Sequence, residues 1–451
     1  MAKKLHIKTY GCQMNVYDSE RIAEVLSPLG YQAVDDASGA DMVILNTCHI
    51  REKAAEKVYS ELGRLRGQKE AMAERGKRMV LAVTGCVAQA EGEEVLKRAP
   101  FVDMVFGPQT YHRLPQMVAE AARASGQVLD TDFPEESKFD ALTQDRKVEG
   151  ATAFLSIQEG CDKFCTYCVV PYTRGAEYSR PAAQVLNEAR ELVAAGALEI
   201  TFLGQNVNSY HGEAHDGSQW SLARLIREAA EIDGLERIRF VTSYPAEVDD
   251  DLIKAHGEVD KLMPYLHLPV QAGSDRILKA MNRNHGVDEY RALVDKLRIA
   301  RPDLALSSDF IVGFPGETDT DFRDTLKLVE DIRFIQTYSF KYSARPGTPA
   351  ALMDDQVDET LKAERLAELQ ALLNTQTLAF NTQSIGKTMP VLLDRAGKKP
   401  GQLVGRSPYM QAVVVDATEQ LLNSIVDVTI TSAGPNSLMG DLNLDSRKAC
   451  A

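Results

Sequence analysis

Residues 160–168 read GCDKFCTYC. Cys161, Cys165 and Cys168 are spaced by three residues and then two, close enough to hold a metal centre in one loop. A structural zinc site takes four protein ligands, and zinc ribbons or knuckles supply them as two spaced pairs or with a nearby histidine. No further cysteine or histidine lies close by: the next is His211. Thiolates at such spacing also bind cubane iron–sulfur clusters, one cysteine per iron. Three cysteines then leave one iron open to a small molecule. The stretch directly follows TAFLSIQ (152–158), the first of six strand-like runs. The others are EITFLG (199–204), RIRFVTS (237–243), YLHLPV (265–270), LALSSDFIVG (304–313) and IQTYSFKYS (335–343), with helix-length patterns between them and a long one at 358–383. Six successive βα units with right-handed crossovers predict a partial (β/α)6 barrel, whose active site lies at the carboxyl ends of its strands. The cysteine loop is at such an end.

Working outward, the N-terminal part also alternates strand and helix: LHIKTY (5–10), DMVILNT (41–47), RMVLAVTG (78–85) and FVDMVFG (101–107), separated by amphipathic stretches such as 19–30 and 51–67. This predicts an α/β domain with a parallel, Rossmann-like sheet. Cys12, Cys48 and Cys86 each follow a strand-like run, in YGC, NTC and TGC. They are either unrelated buried thiols or a second set of three converging beyond the strand ends. Residues 126–150 are polar and aperiodic and read as a linker. Beyond Gly386 the pattern is short strands with turn residues: 388–397, 402–417, 424–434 and 437–443. A small OB-like β-barrel is expected, often an oligonucleotide binder. The predicted domains are 1–125, 151–383 and 384–446, joined by the linker 126–150.

The chain has 451 residues, a net charge of −14 and 44% hydrophobic residues, enough for two or three cores. No run approaches the roughly 20 apolar residues of a membrane span, and the N-terminus lacks the apolar core of a signal peptide. A cytoplasmic protein without membrane contact is expected. Seven cysteines in such a chain suit metal or catalytic use better than disulfides; Cys450 is given no role. The acidic balance argues against indiscriminate nucleic-acid binding. Residues 381–451, however, carry seven Lys/Arg and six Asp/Glu, net +1, leaving −15 on the rest. Arg395, Lys398, Lys399 and Arg406 are therefore candidates for phosphate contacts, with Tyr409 either stacking on an unpaired base or packing in the small barrel.

The spacing C-x3-C-x2-C, with Tyr167 before its last cysteine, resembles the signature of the radical S-adenosylmethionine superfamily. The resemblance implies that the open iron chelates the methionine amino and carboxylate groups. An electron then cleaves the sulfonium to a 5′-deoxyadenosyl radical, a reagent for C–H bonds no side-chain base can deprotonate. It also implies cofactor-binding roles for Tyr167, for Gly204, Gln205 and Asn206 in LGQNVNSY, for Gln271 and Ser274 in HLPVQAGSD, and for Asp309 and Gly313 in DFIVGFPGET. By itself GFPGET could be a phosphate loop, but it lacks the Lys-Ser/Thr of a P-loop and is more often a tight turn.

The strings YGCQMNVYDSE, NTCHIREKA, GCDKFCTYCVVPYTRG, LGQNVNSY, LHLPVQAGSD and GFPGETD are similar to the tRNA methylthiotransferases, above all the MiaB branch, over nearly the whole chain. His49 and Tyr244 depart from that pattern, where Ser and His are more usual. The resemblance implies an N-terminal cluster domain, the barrel and a C-terminal TRAM domain. It implies two 4Fe–4S clusters, one on Cys12, Cys48 and Cys86 and one on Cys161, Cys165 and Cys168, all six catalytic. One S-adenosyl-L-methionine would methylate a sulfur held by the first cluster, and a second, cleaved at the other, would supply the radical. The acceptor would be C2 of N6-isopentenyladenosine at position 37, in the anticodon stem–loop of tRNA. The enzyme would act as a monomer with an external electron donor and a sulfur source. Related enzymes modify threonylcarbamoyl-adenosine in tRNA or an aspartate of a ribosomal protein. A non-enzymatic iron–sulfur carrier or RNA-binding scaffold would leave the cofactor-pocket motifs unexplained.

Overall fold

The computed structural model describes residues 2–48, 52–123, 126–142 and 146–443. His49 and Cys450 lie outside the described residues. The chain forms two compact units, one of residues 1–146, 159–162 and 169–180, the other of 147–158, 163–168 and 181–451.

The first unit is built on six strands: β1 Lys3–Thr9, β2 Tyr31–Ala33, β3 Met42–Thr47, β4 Val80–Gly85, β5 Met104–Phe106 and β6 Val128–Asp130. Helix α1 spans Gln13–Leu26, α2 Glu52–Glu74 and α3 Cys86–Arg98. Every strand pair is parallel and the order is β2-β1-β3-β4-β5-β6. All of β3 is buried, as a central parallel strand covered on both faces must be, which is why MVILNT is apolar without alternation. Val43, Leu45, Leu81 and Val83 pack with Val58 and Leu62 of α2 and Val95 of α3. The strand order reverses between β1 and β3, the switch point where open α/β sheets bind their ligands.

Residues 126–150 are more than a connection. Val128–Asp130 completes the sheet as β6, and Lys138–Ala141 forms a helical turn whose Lys138 is buried. Three residues are too few to show a strand period, and Lys138 reads as a solvated charge until its partners are known.

In the second unit, strands Thr152–Ser156, Glu199–Leu203 and Arg237–Phe240 form a parallel sheet. A bridge from Ile238 to Leu262 continues it. Tyr265–His267 then pairs with Ala305–Ser307, and Asp309–Val312 with Tyr338–Lys341, all parallel. These are the six expected strands in chain order, the fifth (304–313) divided at Ser308 into Ala305–Ser307 and Asp309–Val312, making a partial (β/α)6 barrel. Leu155, Ile200, Phe202, Ile238, Leu266, Leu306 and Phe310 fill its core against the surrounding helices. The helices begin where the sequence caps them: Ser221, Asp249, Thr318 and Asp358 each accept a first-turn backbone N–H.

Strands Thr388–Ala396, Gln402–Arg406, Ala412–Asp416, Leu438–Leu442 and Ser424–Ala433 close into a five-stranded barrel around Val391, Leu403, Val413, Val428 and Ile430. Within this unit Arg237 and Arg239 fasten the small barrel to the larger one. Arg237 donates to the carbonyls of Arg406 and Pro390 at 3.0 and 2.8 Å, and Arg239 to those of Pro408 and Ser407 at 2.8 and 3.0 Å. Glu199, 3.0 Å from Arg239 Nε, balances their charge. Among the described residues, no helix is long and apolar enough to cross a membrane.

Candidate functional site

Cys12, Cys48 and Cys86 stand beyond the carboxyl ends of β1, β3 and β4, neighbouring strands of which β1 and β3 flank the switch point. Cys12 is the N-cap of α1, with its N–H and thiol 3.5 and 3.2 Å from Asn15 Oδ1. Asn15 Nδ2 donates to Asn46 Oδ1 at 3.0 Å and to the Thr47 carbonyl at 3.1 Å, and Asn46 Nδ2 donates back to the Asn15 carbonyl at 2.8 Å. This buried pair of amides ties the first turn of α1, just after Cys12, to the end of β3. Two glycines permit the approach. Gly11, at φ +115°, would place a Cβ 2.2 Å from Cys48 Cβ, and Gly85, at φ +90°, one 2.2 Å from the Thr47 carbonyl. A hydrogen bond from the Cys48 thiol pulls Cys12 down to about 6 against the opposing effect of burial, and Arg174 helps. Burial pushes the Cys86 thiol up, with Arg174 again pulling the other way.

Arg174 belongs to a buried ionic cluster that sequence reading missed. Its guanidinium donates to Asp18 Oδ2 at 2.7 Å and to Glu159 Oε1 at 3.0 Å. Lys138 donates to the same Glu159 oxygen at 2.7 Å and lies 3.7 Å from Asp18. Burial opposes ionisation of Glu159, but Lys138 and Arg174 outweigh it and hold the carboxyl below its usual range. Two cations balance two anions, as buried charges require. Asp18 and Arg174 are 156 positions apart, so no local pattern could announce the cluster.

On the barrel loop, the Cys161 N–H donates to the Gly175 carbonyl at 3.2 Å. Cys165 is buried, and Arg283 Nη1 donates to its sulfur at 3.7 Å. Asn282 Nδ2 holds the loop by donating to the carbonyls of Lys163 and Phe164, both at 3.1 Å. Cys168 N–H donates to the Cys165 carbonyl at 2.9 Å. Tyr167 packs on Ala272, Ile277 and their neighbours; burial pushes its hydroxyl far up, and the adjacent Cys165 adds to the effect. Among the described residues no three His, Cys, Asp or Glu are arranged for a single metal ion. Three thiols in each set suit the donor chemistry of a cubane, one cysteine per iron.

The other expected cofactor contacts fall in differing surroundings. Gly204 closes on Gln158, whose Oε1 accepts the N–H groups of Gln205 and Asn206 at 2.8 and 3.1 Å. Asn206 Nδ2 is committed to Glu247 Oε2 at 2.7 Å. Gln271 takes a left-handed φ of +80°, its N–H on the Asp309 carbonyl at 3.0 Å. Ser274 spends its hydroxyl on Asp321 at 2.6 Å. The Asp309 carboxylate lies 3.5 Å from His267 Nε2. Gly313 opens a tight turn by donating to Glu317 Oε1 at 2.9 Å, and Arg365 clamps that carboxylate at 2.8 Å. GFPGET is thus a turn braced by an ion pair.

In the small barrel, Lys398 and Lys399 are exposed, whereas Arg395 and Arg406 face Asp394 at 3.1 and 4.0 Å. Tyr409 is not a free stacking platform. Its ring packs edge-on against Phe380, and its hydroxyl donates to Asp303 at 3.0 Å.

Residues 4–107 match the model of an uncharacterized protein family, UPF0004; residues 155–329 match the radical SAM superfamily and 383–442 the TRAM domain. The chain is similar in fold to a radical S-adenosylmethionine methyltransferase, TsrM, from Kitasatospora setae, solved with cobalamin and a 4Fe–4S cluster. The identity is 15%, the TM-score 0.57, and the match covers 78% of this chain and 77% of that one. A cobalamin-dependent S-adenosylmethionine radical enzyme, OxsB, aligns at 14% identity and TM-score 0.50, over 81% of this chain and 56% of that one. Fold and site together define a radical S-adenosylmethionine enzyme, which uses that cofactor with 4Fe–4S chemistry. Over 451 residues, 99% of each chain, the sequence is 59% identical to a tRNA-2-methylthio-N(6)-dimethylallyladenosine synthase of Maricaulis maris (strain MCS10), and the chain belongs to that family.

Proposed function

We propose that the protein inserts a methylthio group at C2 of N6-isopentenyladenosine, beside the anticodon of tRNA. The observation that carries this reading is the placement of Cys12, Cys48 and Cys86 at three neighbouring strand ends, in a chain that also bears the barrel loop of Cys161, Cys165 and Cys168. Each set of thiolates would hold one 4Fe–4S cluster. Held by Cys161, Cys165 and Cys168, the barrel cluster would supply the electron for reductive cleavage of S-adenosylmethionine, and the cluster on Cys12, Cys48 and Cys86 would supply the site for the sulfur to be transferred. The protein's own residues position these reagents. The Asn15–Asn46 pair ties the helix turn just after Cys12 to the end of β3, and Asn282 and Arg283 hold the barrel loop. Backbone around Gly204, Gln205, Gln271, Asp309 and Gly313 lines the ends of the barrel strands where the cofactor would lie, with Tyr167 beside the cluster. Asn206 and Ser274, committed to Glu247 and Asp321, would act through position rather than as free contacts.

The exposed Lys398 and Lys399 of the small barrel would meet tRNA phosphates. A monomer in the cytoplasm, reduced by an external donor, completes the reading. Nucleoside analysis of total tRNA from a strain lacking the protein tests it. Loss of the 2-methylthio derivative with build-up of isopentenyladenosine is expected, reversed when the protein is restored. Unchanged tRNA would overturn the assignment.

A further inference from the structure

We propose that Arg283 is the built-in counter-charge of the barrel cluster, a positioning residue that makes this cluster easier to reduce. The inference rests on the reading that Cys161, Cys165 and Cys168 hold a cluster, and adds a role for a residue outside the cysteine motif. Arg283 is held on three sides. Nη1 donates to Cys165 Sγ at 3.7 Å, Nη2 donates to the Pro269 carbonyl at 2.7 Å, and the guanidinium lies 4.3 Å from the Tyr244 ring centroid. Its Nε is buried without a hydrogen-bond partner among the described residues.

Arg174 provides a contrast, because two carboxylates, Asp18 and Glu159, neutralise it. Arg283 makes no ion pair with a carboxylate among the described residues; its neighbours include a thiol, a carbonyl, the tyrosines Tyr167, Tyr244 and Tyr290, and His285. A partly buried guanidinium stays charged and is favoured by an anion nearby. With the cluster bound, the cluster and the cysteine sulfurs that hold it would supply that negative charge. Reduction adds one further negative charge to that cluster, so a fixed cation and an N–H···S bond favour the reduced state. Tyr244 supports the arrangement: its ring lies beside the guanidinium, and its hydroxyl accepts the Asn284 N–H at 2.9 Å.

The test is an electron-paramagnetic-resonance redox titration of the reconstituted full-length chain carrying Cys12→Ala, Cys48→Ala and Cys86→Ala, so that one cluster signal remains. Dithionite-poised samples of this parent are compared with Arg283→Gln and Arg283→Lys. At a poise that half-reduces the parent, the ratio of reduced to oxidised cluster is expected to fall about tenfold in Arg283→Gln, the equivalent of about 59 mV for one electron. It should stay within threefold in Arg283→Lys, which keeps the charge. Arg283→Met is a second neutral variant should the glutamine form not take up iron. A neutral variant that loads iron and reduces like the parent overturns the proposal. If both neutral variants fail to load while Arg283→Lys loads, charge is the requirement and the proposal holds; if all three fail, shape is the requirement and it falls. Iron content and potential are independent of tRNA, so failure here is distinct from failure of the methylthiolation reading.

Discussion

Cys12 is the exposed thiol of its set, and the hydrogen bond from Cys48 is what lowers it. A lowered thiol is ionised above its own value, so at neutral pH the metal-free chain should react with iodoacetamide first at Cys12. The rate should reach half its maximum near pH 6, where Cys12 titrates. Cys86, raised by burial, should lag across the same range. Mass-spectrometric mapping of alkylation against pH checks this, and equal labelling of the two at pH 7 would contradict it. Gly11 is a second single-residue test. At φ +115°, with Cys48 Cβ 2.2 Å from where a methyl would sit, Gly11→Ala has no low-cost escape. Left-handed strain of about 1–2 kcal/mol and overpacking of about 1–3 kcal/mol should lower stability by roughly 2–5 kcal/mol in urea. A loss below about 0.5 kcal/mol would mean that the strand ends separate freely.

At the scale of elements, the turn after strand Asp309–Val312 is braced by a buried ion pair. Arg365 and Glu317 are both nearly fully buried, and burial already raises the Glu317 carboxyl despite the help of Gly313 and Arg365. Arg365→Ala strands that carboxylate and should cost about 3–5 kcal/mol. Adding Glu317→Gln should recover part of the loss, and urea midpoints of both variants report it. Additive losses would show that the two do not act as a pair. Such ties also mark where sequence reading stops. The strands β3 and β4 are legible because a parallel strand buried on both faces is a continuous apolar run, and Cys48 and Cys86 are legible because each directly follows one. β6 is only Val128–Asp130, too short to carry a period. Ser274 looks like a cofactor contact in HLPVQAGSD, yet its hydroxyl goes to Asp321, 47 positions away. The sequence leaves Tyr409 between stacking and packing until Asp303 and Phe380 are placed beside it. Long-range polar pairs leave no local signature.

For the whole molecule, charge and chemistry are divided along the chain. A net −15 on residues 1–380 against +1 on 381–451 leaves the exposed Lys398 and Lys399 as the natural phosphate partners. Replacing both by alanine should weaken tRNA binding and flatten the slope of log affinity against log salt by about 1.5, at roughly 0.7–0.9 for each phosphate no longer neutralised. Fluorescence titration at several salt concentrations measures it; an unchanged slope would place the RNA-binding charges elsewhere.

The central claim is the division of labour between two sets of three cysteines, and one measurement reaches it directly. Reconstituted protein, reductant, S-adenosylmethionine and tRNA bearing isopentenyladenosine are combined, and 5′-deoxyadenosine and the 2-methylthio nucleoside are quantified in the same reaction for Cys161→Ala and Cys12→Ala. The account expects Cys161→Ala to form neither product. Cys12→Ala should still form 5′-deoxyadenosine while making no 2-methylthio nucleoside. Equal loss of 5′-deoxyadenosine in both variants would contradict it.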